Sequence, residues 1–505
     1  MINKKFPWYI LITIILLKFL FQYLVISSIY ELHRDEFLHL DQANHLQWGY
    51  PSVPPFTSWQ ALIIKWLGNG LLWVRFFPAL AGALTIWVVW ETVKVLKGTL
   101  YAAIIAACCV LFSGLLRINI LFQPNSFDIL FYTLIFFFII KYIKTEKEIN
   151  LYYLGITIGF GLLNKYNIIF LLMALVVSLP FTKQRKLFVN QHFWLAMLLA
   201  LFIVSPNIWW QIKNHFPVVW HMKTLARTQL ENVSRIDFVL EQVKFFFGAI
   251  PFWFGGLLAI VFYKPFKPYK IVAFAYLSTI LLFIYLHGKA YYAVGLYPIL
   301  FAFGAIYLDQ LLSSKKTAWI KPTLVIFNIA LIAYFSQKIF PILSPPQIVN
   351  RSNFGGKFGT HKWEDGKEHP IEQDFADMIG WTEMANKTDS AFLKIHKTER
   401  KNLLVLTENY GQTGAINYYS KNIKNAVCYS LDYIKYFPHL NHLKHLIFIG
   451  ETPYPSLIAH FKSNVKIGEI NNKYAREKGA VIYLFSYPDQ YIIKKLQMRL
   501  KDTQE

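Results

Sequence analysis

The chain has 505 residues, 55% of them hydrophobic and 18% aromatic, and only 16% are Asp, Glu, Lys or Arg, against about 25% charge in ordinary soluble proteins. Residues 7 to about 341 alternate long apolar runs with short basic ones, and the remainder reads as a soluble domain. This excludes a purely water-soluble protein and predicts an α-helical polytopic membrane protein with a C-terminal soluble α/β domain. The net charge of +22 collects in short loops between apolar runs, where lysine sets membrane orientation, so no nucleic-acid partner is expected. Three cysteines make no disulfide framework: Cys108 and Cys109 lie in an apolar run and Cys428 stands alone.

In chain order, MINKKF precedes an apolar run from Trp8 to about Ser27 with no small-x-small cleavage pattern after it, which reads as an uncleaved anchor. Spans of roughly 17–25 apolar residues are predicted near 8–27, 71–92, 100–117, 126–142, 151–164, 167–182, 191–209, 246–263, 271–286, 291–309 and 319–341, about 11 in all. With the N-terminus cytoplasmic, the inner loops hold Lys4 and Lys5; Lys94 and Lys97; Lys141, Lys144 and Lys147; Lys183, Arg185 and Lys186; Lys264, Lys267 and Lys270; and Lys315, Lys316 and Lys321. All six are basic, as the positive-inside rule requires. An odd number of spans then puts residues 342–505 outside, together with the 28–70 stretch.

The outer side also carries RINILFQPNSFD at 117–128, the turn Asn164-Lys165-Tyr166, a loop from Trp210 to about Lys244, and HGKAYY at 287–292. Ionisable groups at membrane depth or at its edge are costly and mark functional sites by default. Lys18, halfway along the first span, has the plainer reading of snorkelling or pairing with a neighbouring helix.

The densest polar cluster is ELHRDEFLHLDQANHLQWGY at 31–50. Its apolar residues recur at three- and four-residue spacing, which predicts an amphipathic helix lying on the outer membrane surface. The plain reading of its charges is a solvated face. His33, Asp35, Glu36 and His39 are ligand types for a divalent metal, yet their spacing matches no dedicated zinc motif. The chemical reading makes Asp35 or Glu36 a general base taking a proton from an acceptor hydroxyl, while cations stabilise an anionic leaving group. Candidate cations on that side are Arg34, Arg117, Lys165 and Lys289. The chain has no GxxxxGK[ST] loop and no Asp-x-Asp pair, which argues against an ATP motor and against metal-bound nucleotide-sugar chemistry. A sugar carried on a polyprenyl phosphate needs neither. A transporter or an assembly scaffold would share the helices, but no internal repeat appears and a scaffold leaves the Arg-Asp-Glu cluster unexplained.

Several blocks in order carry a family likeness: RDEFLHLDQANHLQWGYPSVPPF at 34–56, VRFFPALAGALT at 74–85, QPNSFDILFYTL at 123–134, GLLNKYNIIFLL at 161–172, SPNIWWQIKNHFPVVWH at 205–221, GKAYYAVGLYPIL at 288–300 and ENYGQTGAINYYS at 408–420. In these the chain resembles the dolichyl-phosphate-mannose–protein mannosyltransferase superfamily, whose bacterial branch includes the aminoarabinose transferase of lipid A. The resemblance implies the large membrane glycosyltransferase fold, with residues 1–341 as the transmembrane glycosyltransferase domain and 342–505 as an extracytoplasmic domain. It implies a polyprenyl-phosphate sugar as donor, a glycan, lipid or protein as acceptor, and a place in the bacterial inner membrane among its lipids. It matches the catalytic acid of the first outer loop to Asp35, with Glu36 beside it, and the lipid-phosphate contacts to Lys165, Lys289 and Tyr291. Asp128 is either a second carboxylate or a helix N-terminal charge favoured by the dipole. For Tyr291, Tyr292, Trp48 and Trp59, interfacial anchoring stands beside sugar stacking. The chain departs from the aminoarabinose branch at SVPP, 52–55, where that branch has Glu-Lys-Pro, and at Leu38, where it has Arg.

In the soluble part, a helical run near 371–397 precedes strand candidates NLLVLTEN, HLIFIG and AVIYLFSY, a helix GQTGAINYYS and a closing basic helix DQYIIKKLQMRL. GGKFG at 355–359 is too short for a phosphate loop.

Overall fold

The computed structural model describes residues 6–228, 230–351 and 361–504; Lys4, Lys5 and the 355–359 stretch lie outside them. Among the described residues, six helices are long and apolar enough to cross a membrane: Leu71–Val95, Asn125–Thr145, Gln191–Lys213, Lys264–Tyr285, Ala290–Leu311 and Ile320–Ile339. Two bent pairs, Ile168–Ser178 with Lys183–Val189 (103°) and Arg235–Phe245 with Phe247–Phe262 (70°), and three shorter apolar helices, Trp8–Leu24, Leu100–Leu111 and Ile149–Asn164, occupy the other expected positions. Helices suit this setting because each satisfies its own backbone polar groups.

The departures have local causes. The helix expected over 100–117 stops at Leu111 and resumes as a single turn, Leu115–Ile118, because the Gly114 amide turns to donate to the Phe245 carbonyl at 2.8 Å. The segment 210–244 is not a loop but two helices, Pro217–Thr228 and Arg235–Phe245. Lys18 is buried and hydrogen-bonds Gln22 one turn along its own helix, so it does not snorkel, and its stem packs at Gly82 of the neighbouring helix Leu71–Val95.

Close helix crossings rely on small residues. Gly256 lies against the Leu300 carbonyl and Gly304 against the Phe252 carbonyl, so Ile250–Phe262 and Tyr297–Leu311 touch backbone to backbone with no room for a methyl group on either side.

The C-terminal domain is built on four strands, β1 (Leu403–Thr407), β2 (His445–Gly450), β3 (Phe461–Glu469) and β4 (Val481–Pro488), in the order β1-β2-β4-β3. β1 and β2 are parallel, with Val405 opposite Ile447; β4 runs antiparallel to both β2 and β3. The three expected strands are present. β3 was not expected; FKSNVKIGE is an edge strand whose stretch from Lys462 to Lys466 is exposed throughout.

The 31–50 cluster departs most from expectation. Arg34–Asp41 is a helix, as is Phe56–Trp66, but the first does not lie on the membrane surface and its charges are not a solvated face. Phe37, Leu38 and Leu40 are buried, and so are Arg34, Glu36, His39 and Asp41. The C-terminal domain covers them. Tyr30, Phe37, Leu40, Ala61 and Val74 share one apolar core with Phe375, Trp381, Ala415, Ile416 and Ile447. Glu31 seals the joint: its carboxylate accepts the Trp381 and Thr382 amides, each at 2.7 Å, at a helix start made possible by Gly380 with φ of 92°.

Gly304→Ala is expected to pry the two glycine-faced helices apart, costing about 1–3 kcal/mol. A fall in the thermal midpoint of the detergent-solubilised protein would register it; an unchanged midpoint would refute the close crossing.

Candidate active site

The helix Arg34–Asp41 starts with a capping box in which His33 replaces the usual Ser or Thr. The His33 ring accepts the Asp35 amide at 3.2 Å, and the Glu36 carboxylate accepts the His33 amide at 2.8 Å. The other ring nitrogen of His33, Nε2, faces Asp377 at 3.6 Å. This cap fixes two adjacent carboxylates at the helix N-terminus, where negative charge is favoured, and aims them differently.

Glu36 has no exposed surface. It pairs with buried Arg75 and accepts the Phe122 amide at 2.7 Å, while Arg75 also donates to the Ile120 carbonyl at 2.7 Å. Its oxygens are taken up by Arg75 and by the Phe122 and His33 amides.

Asp35 keeps a side chain 36% exposed. Tyr410 donates to one carboxylate oxygen at 2.7 Å and Gln123 to the other at 3.0 Å. Burial pushes its carboxyl pKa up, but His33, Arg34 and the Tyr410 hydrogen bond outweigh it, and the net shift is downward. Asp35 is therefore held ionised and partly open; among the described residues no three His, Cys, Asp or Glu side chains converge as metal ligands.

A row of amides leads from Asp35 to a cation. Gln123 accepts from Asn125 at 2.8 Å, and Asn125 accepts from Lys165 Nζ at 2.8 Å. Lys165 lies over the rings of Tyr291 and Tyr292, 5.1 and 4.7 Å from their centroids. Burial pulls its pKa down to about 8, Asp128 working against this and Lys289 with it. Lys289 reaches Glu364 of the C-terminal domain at 3.0 Å. Asp128 is buried in the first turn of Asn125–Thr145 and accepts from Asn167 at 2.8 Å, which also donates to the Tyr292 carbonyl at 3.0 Å.

The structure thus gathers Asp35, Lys165, Lys289, Tyr291, Tyr292 and Asp128 around one end of the helical body. It sets one expected residue apart: Arg117 turns to Asp374 at 3.2 Å and Phe375. Arg34 stays beside Asp35 but lays its guanidinium over the Tyr410 ring at 4.4 Å. Sequence reasoning missed Gln123, Asn125 and Tyr410. All three sit in blocks already singled out, QPNSFD and ENYGQTG; an amide beside a proline at the mouth of an apolar run was the available signal for the first two.

Arg75→Met is expected to strand the buried Glu36 charge and cost about 3–5 kcal/mol. Adding Glu36→Gln should restore part of the loss in thermal denaturation; a double variant no more stable than the single one would refute the pairing.

The comparisons agree with this architecture. The family model described as dolichyl-phosphate-mannose-protein mannosyltransferase matches residues 52–210. Lipid A galacturonosyltransferase RgtD of Rhizobium johnstonii is 22% identical over 232 residues, 45% of this chain and 47% of the relative, so the match spans about half the length of that curated relative. ArnT from Cupriavidus metallidurans has the same fold along nearly the whole chain. The apo structure is 13% identical with a TM-score of 0.66 and the structure bound to undecaprenyl phosphate 12% identical with 0.64, each covering 94% of this chain and 97% of the other. The first half of the helical body is thus similar to the dolichyl-phosphate-mannose-protein mannosyltransferase family model, and nearly the whole chain has the fold of ArnT.

Proposed function

We propose that the protein transfers a sugar from a polyprenyl-phosphate donor to an acceptor on the extracytoplasmic face of the bacterial inner membrane, by inverting single displacement. The observation that carries this reading is an ionised, partly open carboxylate, Asp35, joined through Gln123 and Asn125 to a lysine stacked on two tyrosines. A candidate base and a cation beside two tyrosines are thus joined by one hydrogen-bonded row, which suits transfer from a lipid phosphate.

In the reaction, Asp35 removes the proton from an acceptor hydroxyl, whose oxygen attacks the anomeric carbon. The bond from that carbon to the phosphate oxygen breaks, and its electron pair leaves with the polyprenyl phosphate. Lys165 and Lys289 hold that charge, Tyr291 and Tyr292 wall the phosphate, and no covalent sugar–enzyme intermediate forms. Glu36 stays out of the proton transfer. Asp128 orients Asn167 beneath the tyrosines and adds its field to Lys165. The undecaprenyl phosphate seen in the ArnT structure supports the donor class, and the RgtD relative, a lipid A galacturonosyltransferase, supports transfer of a sugar to a glycan or lipid acceptor. The SVPP stretch at 52–55 weighs against aminoarabinose. The basic loops support a cytoplasmic N-terminus and an extracytoplasmic C-terminal domain.

Purified protein incubated with short-chain polyprenyl-phosphate sugars should release polyprenyl phosphate, and Asp35→Asn should lower release by about 10²–10⁴-fold, the usual worth of a general base. Wild-type rates in well-folded Asp35→Asn protein would remove Asp35 from the mechanism. Lys165 is charged below a pKa of about 8 and neutral above it, so the KM for donor should rise as pH passes upward through that value. Lys165→Met should have a raised KM already at neutral pH and lose the rise; a donor KM flat from pH 7 to 9 in wild type would exclude Lys165 from phosphate binding.

A further inference from the structure

Helix Tyr410–Tyr419 of the C-terminal domain packs on Arg34–Asp41, and glycines set how closely. Gly411 lies against Arg34, and Gly414 faces Phe37, where an added Cβ would come within 2.6 Å of the Phe37 Cβ. The start of that helix is locked: Asn409 caps it by accepting the Gly411 and Gln412 amides at 3.0 and 3.1 Å, and Glu477 holds both Asn409 and Gln412. Tyr410 is thus fixed in direction, with Arg34 over its ring at 4.4 Å and its hydroxyl on Asp35 at 2.7 Å.

We infer that the C-terminal domain completes the active site by supplying Tyr410 as a positioning residue, which aims the Asp35 carboxylate and stabilises its ionised form. This rests on the assignment of Asp35 as the base. The domain is then part of the catalytic machinery rather than a cover over it. Tyr410 keeps its proton, because burial and then the charge of Asp35 hold its phenol well above its ordinary pKa, so it acts as a donor throughout. Asp35 also faces His33, Arg34 and His39 of its own helix, Asp377 from the segment before Trp381, and Tyr291 across the site. Of these, Tyr410 is the group that reaches a carboxylate oxygen with a side-chain donor from the soluble domain.

The test is the pH profile of kcat/KM for polyprenyl-phosphate release by the full-length protein, with a short-chain polyprenyl-phosphate sugar that wild type cleaves. A hydrogen bond to a charged group lost in Tyr410→Phe raises the Asp35 pKa, so the acid limb should move up by about one pH unit, kcat should fall and the donor KM should stay within about twofold. Tyr418→Phe is the control: it removes a bond from the same helix to the Asn69 carbonyl, 2.7 Å, and should leave the profile as in wild type. An unshifted limb in Tyr410→Phe, or an equal shift in Tyr418→Phe, overturns the proposal. Should Tyr410→Phe fail to fold, a fluorinated tyrosine at 410 donates more strongly and should move the limb downward; no movement again overturns it. An inactive Asp35→Asn beside an unshifted Tyr410→Phe defeats only the role of Tyr410, whereas an active Asp35→Asn defeats the base assignment itself.

Discussion

Glu36 lies at the meeting point of three separate parts of the chain. Its carboxylate takes the Arg75 guanidinium from the second span, the Phe122 amide from the turn before Asn125–Thr145 and the His33 amide from its own helix cap. A buried pair of this kind adds little net stability over a well-packed apolar pair, yet removing one partner is expensive. Its effect here is on geometry: it allows only one placement of the helix Arg34–Asp41 relative to the membrane body. Everything the site does depends on that placement, because Asp35 is the next residue along and has no anchor of comparable strength.

With the helix fixed, the C-terminal domain has a single surface to fit. Phe37 inserts between Trp381, Tyr418 and Tyr419, Glu31 caps the helix beginning at Trp381, and Asn417 and Asp432 bond Asp41 and Gln42, each at 2.7 Å. A full aromatic burial supplies about 1.5–3 kcal/mol, and the polar contacts fix the register. The two bodies share one core across this joint, so the soluble domain has little freedom to slide without exposing Phe37.

The helical body was legible because a bilayer demands long apolar runs, and residues 8–27 or 319–341 have no other use for them. What escaped were features set by distant contacts. Nothing local marks the break after Leu111, which answers to a carbonyl at Phe245. β3 pairs on one side only and is exposed on both faces from Lys462 to Lys466, so the alternation of Val465 and Ile467 with lysine marks no buried face there. The 34–41 helix was recognised, but its amphipathic spacing suggested a membrane surface when the covering layer was the chain's own C-terminal third. The candidate site divides in the same way. A carboxylate after the first apolar run is visible in sequence, whereas its two donors lie 88 and 375 positions away and carry meaning only once the turn at Gln123 and the helix at Tyr410 meet it.

The choice of donors bears on the chemistry. A base must be ionised in the resting site, yet must still be able to accept a proton. A two-point contact with a guanidinium would secure ionisation and depress the pKa by one to three units, too far for useful proton transfer. Arg34 is adjacent in sequence and could have made such a contact, but its plane is taken by the Tyr410 ring. Asp35 instead accepts hydrogen bonds from two neutral donors, a phenol and an amide, while Arg34 acts on it through space, and 36% of the side chain stays open. Two further cations, Lys165 and Lys289, stand at the far end of the amide row, where the proposed leaving group's charge would appear. The separation follows from the folding of the segment after the first apolar helix: the same capping box that turns Glu36 inward to Arg75 turns Asp35 toward Tyr410 and Gln123, so of two adjacent carboxylates one is fully engaged by the protein and the other stays partly open.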